Sequence, residues 1–239
     1  MRNNFSNINN KMKIDFVIDN FEELENQLIY IMKYVPFIPQ NKATISPKFI
    51  SIIFESCSLI DSIFKELTNE ADKKYSLKKY SKIFEDELSL DTTISLFLSS
   101  SIIFYNPYKD WKNVTPKWWN TYNRLKHDRL NNFYLGTFEI TIQCVCALHQ
   151  LISKTRYFTN HLIKAGWFNE SGNFIPELIV ARISETGIPL GIIPCESKLF
   201  VSPLSENFVK YDNNEPLINM DECDFSEKVK NILRIEGYF

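Results

Sequence analysis

Residues 115–129, TPKWWNTYNRLKHDR, gather side chains whose types and spacing suit chemistry on a phosphate. His127 offers an imidazole, the side chain that most readily exchanges a proton near neutral pH. Arg124, Lys126 and Arg129 offer cations, and a guanidinium fork matches a pair of phosphate oxygens. If the stretch is helical, Trp119, Tyr122, Asn123, Lys126, His127 and Leu130 share one face, because they recur every three or four positions. Asn123 then stacks one turn from His127, where it can orient the imidazole or a phosphate. Arg124 lies one turn from His127 and Asp128, with Arg129 on the adjoining flank.

The surrounding charge is local. Between residues 109 and 129 six basic side chains face two acidic ones, whereas the 239-residue chain carries a formal net charge of -2. A chain of that balance does not coat nucleic acid with its whole surface, so any polyanion site must be local. Trp118 and Trp119 point about 100° apart on a helix, so at least one of them belongs to a core.

Several elements must hold this stretch in place. Thr115 followed by Pro116 marks a helix start, and a helix of about four turns should run on from it. Asp19 or Asn20 caps an earlier helix carrying Phe21, Leu24, Leu28, Ile31 and Met32 at helical spacing. Ser46 and Pro47 open a long second helix with Phe49, Ile53, Leu59, Ile60, Ile63, Phe64 and Leu67 inward. Asp61 and Lys65 lie one turn apart on it. A lysine-rich connection runs from Asn69 to Lys82, its cations forming a solvated face. The apolar run of residues 93–105 predicts a buried helix. Residues 137–162 predict a central helix apolar nearly all round.

Beyond Gly166 the pattern changes. Most of the six glycines lie there, and short β-branched runs (ELIVARI, GIIPC, KLFVS) alternate with Gly and Pro, predicting strands. A last helix is expected over residues 226–235. The expected organisation is a polar leader over 1–18, a helical bundle over 19–165 and an α+β extension over 166–239. The fold class is therefore mostly α with a small strand-containing C-terminal extension.

Other function classes find no residues to carry them. Five cysteines without a secretory signal fit reduced thiols and a cytoplasmic protein. Cys144 and Cys146 are two apart in a helical pattern, so they do not form a zinc half-site. The longest apolar run is too short to span a bilayer. No Gly-rich phosphate loop, nucleophile elbow or paired acidic metal site occurs, and neither cofactor nor metal is expected.

The segment YNRLKH, with Asn123 and His127, resembles the motif of the HEPN superfamily, helical domains named for nucleotide binding in higher eukaryotes and prokaryotes. Tyr122 stands where many of those domains carry arginine, and Arg124 or Arg129 takes its place in space. Asp61 and Lys65 match the acidic helix that often faces the motif, and the likeness covers roughly residues 20–163. It implies a HEPN-like bundle that binds RNA or nucleotide and cleaves RNA without metal through attack of the 2'-hydroxyl, as in toxin or antiphage-defence proteins. In that role His127 moves the proton, Asn123, Arg124 and Arg129 complete the catalytic set, and Lys126, Tyr122, Asp61 and Lys65 bind substrate. It also implies a homodimer, with Trp118 or Trp119 as an interface anchor. The alternative reading is an inactive helical module that binds nucleotide, RNA or a protein partner through the same basic face. His149 and His161, on an apolar helix, are expected to be structural.

Overall fold

The computed structural model describes residues 2–68, 75–99, 102–158, 161–162, 165–167, 194–203, 209–212 and 215–218. The protein is mostly helical with a small antiparallel sheet. Its chain forms two compact units, each built from two separated stretches: residues 1–76 with 115–148, and 77–114 with 149–239.

The first unit is helical. Helix α1 covers Arg2–Met32, so Asp19 and Asn20 lie inside it and do not cap its start. The reason is visible in the packing: the inward stripe of Phe21, Leu24 and Leu28 continues upstream through Ile18 and Ile14, all buried. The Asn20 side chain bonds back to the Phe16 carbonyl at 2.7 Å. Helix α2, Pro47–Thr68, starts where the Ser46–Pro47 pair predicts, with Ser46 Oγ accepting from the Lys48 amide at 3.2 Å. Helix α4, Lys117–His127, and the short α5, Arg129–Asn132, come next in this unit, then a 3-10 turn over Phe133–Leu135. Helix α6, Phe138–Lys154, is buried nearly all round as its composition predicts but ends at Lys154, short of the expected 162, and the boundary between the units falls within it.

The second unit begins with α3, Leu77–Leu88. The lysine-rich connection is thus partly helical, and Leu77, Tyr80, Phe84 and Leu88 recur at helical spacing on its buried face while Lys78, Lys79 and Lys82 stay exposed. The run predicted as a buried helix is instead two strands, β1 (Ser95–Leu98) and β2 (Ile102–Tyr105), paired antiparallel with Leu96 opposite Phe104. Every residue of β1 is buried. Such a strand shows no apolar–polar alternation, and a short uniform apolar run does not tell strand from helix. Strand β3 (Pro194–Glu196) and strand β4 (Phe200–Pro203) complete a sheet of order β2-β1-β4-β3, so KLFVS supplies a strand as expected. A separate hairpin joins β5 (Val209–Asp212) to β6 (Glu215–Ile218). The ELIVARI run and the expected last helix lie outside the described residues.

Two polar clusters fix the second unit. Gln150 Nε2 donates to Ser95 Oγ (2.8 Å) and to the Thr93 carbonyl (3.1 Å), Ser95 and Ser202 share a hydrogen bond of 2.5 Å, and Ser202 Oγ lies 2.7 Å from His149 Nδ1. All four side chains are buried, and the network satisfies Gln150 Nε2, His149 Nδ1 and the two serine hydroxyls, groups that would otherwise be costly inside an apolar core. His149 is structural, as expected. It stacks on Trp167 at 5.2 Å, and burial lowers its pKa to about 3. Glu85 accepts from Trp111 Nε1 and from the Asp91 amide. Burial pushes its carboxyl up, and those donors oppose the shift.

Candidate functional site

The basic stretch is carried by α4 and α5. Helix α4 begins at Lys117, one residue later than predicted, with Pro116 as its N-cap and no side-chain capping bond. Pro116 has φ -55° and ψ 144°, and that extended ψ keeps it out of the helix. The buried side of α4 consists of Trp118, Trp119, Thr121, Tyr122 and Leu125. Trp118 and Trp119 are only 1% and 7% exposed. Neither is available as the interface anchor expected of it, because both rings are used in the protomer's own core. Tyr122 is buried too, at 6%.

These aromatics form a chain of edge and tilted contacts. Trp118 meets Trp119 at 5.5 Å, Trp119 meets Tyr122 at 5.2 Å, and Tyr122 meets Phe54 of α2 at 5.6 Å, centroid to centroid. The chain ends under two cations. Arg129 lies over the Phe54 ring at 4.4 Å and Lys126 Nζ lies 5.4 Å from the Tyr122 centroid, both within cation–π range. Phe54 carries no signal in the sequence, since its role depends on which flank of α2 meets α4.

The helix stops at His127. The Asp128 amide still donates to the Arg124 carbonyl at 3.0 Å, but its backbone turns to φ -151° and ψ 80°. Its carboxylate then caps α5, accepting from the Asn131 amide (3.3 Å) and from Asn131 Nδ2 (2.8 Å). Asn132 Nδ2 closes the bend on the Asp128 carbonyl at 2.7 Å. The break also disrupts the predicted face. Leu130, which an unbroken helix would align with Tyr122, is 87% exposed.

Asn123 is half-buried, whereas Arg124, Lys126, His127 and Arg129 are exposed. None of those four forms an ion pair among the described residues. The acid nearest in sequence, Asp128, is engaged as a cap. Arg124, Lys126 and His127 occupy the last turn of α4, where the helix dipole favours positive charge. The expected cluster is smaller than the sequence window: Lys109 and Lys112 belong to the second unit, and Lys112 pairs with Asp86 at 3.3 Å.

Asp61 and Lys65 of α2 are paired with each other at 2.5 Å, half-buried. Asp61 is seven positions past Phe54, about 10 Å along the helix axis at 1.5 Å per residue. That ion pair therefore uses both groups on α2 itself. No group of three or more His, Cys, Asp or Glu suited to a metal occurs among the described residues. Cys57, Cys144, Cys146 and Cys195 are buried and outside any disulfide, and burial pushes the Cys57 thiol well up, which suits packing and not nucleophilic attack. Among the described residues no helix is long and apolar enough to cross a membrane.

The arrangement can hold an anion. Two cations are set by aromatic faces, two more basic side chains sit at the end of a helix, and no carboxylate among the described residues pairs with them. Comparison of the chain with protein-family models, curated proteins and solved structures returned no match.

Proposed function

We propose that the protein is a HEPN-like module that binds RNA through the face formed by Arg124, Lys126, His127 and Arg129. The observation that carries this reading is that four basic side chains crowd one exposed bend with no ion-pair partner among the described residues. Cations held apart from carboxylates keep their full attraction for phosphates and release counterions when one binds. Cation–π contacts to Phe54 and Tyr122 orient Arg129 and Lys126 without neutralising them.

Cleavage is the second step of the same reading, favoured by the exposure of His127 one turn from Arg124. There His127 takes the proton from a 2'-hydroxyl or gives one to the departing 5'-oxygen. The 2'-oxygen bonds to phosphorus as the 5'-oxygen leaves, giving a 2',3'-cyclic phosphate and a 5'-hydroxyl. Arg124 or Arg129 offsets the charge that grows on the phosphorane. With Tyr122 buried, the cation that this family places at the start of the motif has to come from one of these two.

One experiment separates the steps. Purified protein in EDTA is incubated with labelled RNA and with a copy that is 2'-deoxy throughout. Binding to both should weaken steeply with salt, and Arg124→Ala should lower the salt slope by about 1. Cutting should occur in RNA alone and fall about a hundredfold or more in His127→Ala. Salt-sensitive binding with no cutting by the wild type would leave the inactive-module alternative. Absence of binding would refute the reading as a whole.

A further inference from the structure

The bend after His127 carries apolar side chains that the core does not use. Leu130 is 87% exposed, Phe133 53% and Tyr134 48%, all within five residues of Arg129. The rings of Phe133 and Tyr134 lie edge to face at 6.3 Å. Large apolar groups this exposed on a short segment mark a surface meant to be covered.

Their backbone is rigidly held. Asp128 and Asn132 tie α5 to the end of α4, and the Gly136 amide donates to the Phe133 carbonyl at 3.0 Å. A bridge between Ile45 and Thr137 and a bond from the Phe138 amide to the Thr44 carbonyl (2.9 Å) anchor the downstream end of the segment. Gly136 seats the turn directly on α2, since a Cβ there would stand 2.6 Å from Ile50 Cγ1. The two rings are thus presented on a preformed support, which limits the entropy lost on binding.

The covering partner is identified by charge. Arg129 and the exposed end of α4 border this segment, so the ligand that covers the rings must also satisfy unpaired cations. Single-stranded RNA does both, because its bases have π faces for stacking and its backbone is a row of anions. A duplex hides those faces in its stack and offers mainly shape and phosphates. Resting on the RNA-binding reading above, we infer that Phe133 and Tyr134 form a base-stacking platform, with Leu130 beside it, and that the preferred ligand is single-stranded RNA. Arg124, Lys126 and Arg129 track its phosphates while one or two bases leave the stack and settle on the rings.

The test measures affinity in EDTA by fluorescence anisotropy, using a labelled oligouridylate and a labelled RNA duplex of equal length. Wild type should prefer the single strand. Phe133→Ala and Tyr134→Ala should each weaken single-strand binding by about 5- to 150-fold, the range for losing one stacked base, with the salt slope unchanged. Duplex binding should not move, and Phe133→Trp should keep single-strand affinity. Both positions are exposed, so the variants should retain the wild-type circular dichroism. If the aromatic variants bind the single strand like wild type while Arg124→Ala weakens it, the platform is refuted and RNA binding stands. If wild type binds neither strand, both readings fall. If the variants instead halve the mass seen by light scattering, the rings are a seam between copies and the inference is overturned.

Discussion

His149 is enclosed by Trp167, Phe200 and Ser202, and that enclosure gives the protein a predictable response to acid. The folded pKa is about 3, against about 6.5 for the free side chain. Between those values the unfolded chain takes up a proton that the folded chain refuses. Stability from this residue is full above pH 6.5 and is lost as pH falls toward 3, by up to about 1.4 kcal/mol per pH unit. Urea titrations should show the advantage of wild type over His149→Gln shrinking across that window. Glu85 tilts the other way, since its folded carboxyl is raised: its contribution is full below about pH 4 and declines as pH rises through the folded value. At the candidate site the relevant residue is Asp128. Replacing it with Ala should release the α5 cap at about 1 kcal/mol, read from thermal melts, and should loosen the placement of Arg129 over Phe54. On the RNA-binding proposal, affinity should then fall even though a negative charge has been removed, an outcome that simple charge addition does not give.

Elements differ in how openly the sequence declares them. The start of helix α2 is legible to the residue, because Ser46–Pro47 is a strong start and a wide apolar stripe runs on from it. The exposure of Arg124, Lys126, His127 and Arg129 is legible from their number and spacing. The break at Asp128 is not, since aspartate serves as a helix residue and as a cap, and here it caps α5. Strand β1 is hidden for another reason: burial on both faces erases the alternation that marks a strand. The burial of both Trp118 and Trp119 is settled by tertiary packing, which spacing alone does not supply. Gly136 shows how one small residue links two elements. Its φ of -78° is ordinary, so space and not backbone freedom explains it. Gly136→Ala should destabilise by about 1–3 kcal/mol, the usual penalty for overpacking, and most of that loss should vanish in an Ile50→Ala background.

Across the whole molecule, each unit draws on stretches far apart in the chain. The sheet is the clearest case. Strand β1 is buried throughout and takes β2 as one neighbour, but its other edge is covered only by β4, and Ser95 meets Ser202 across 107 positions. A chain ended before Pro194 should therefore bind a hydrophobic dye and sediment as aggregate where the full chain stays dispersed, because an apolar strand edge is left open. The same open edge exists for a time in every newly made copy. During synthesis at about 5–20 residues per second, the β1 edge waits several seconds for its covering strand to leave the ribosome. In that interval the nascent chain offers chaperones a sticky strand that the finished protein never shows.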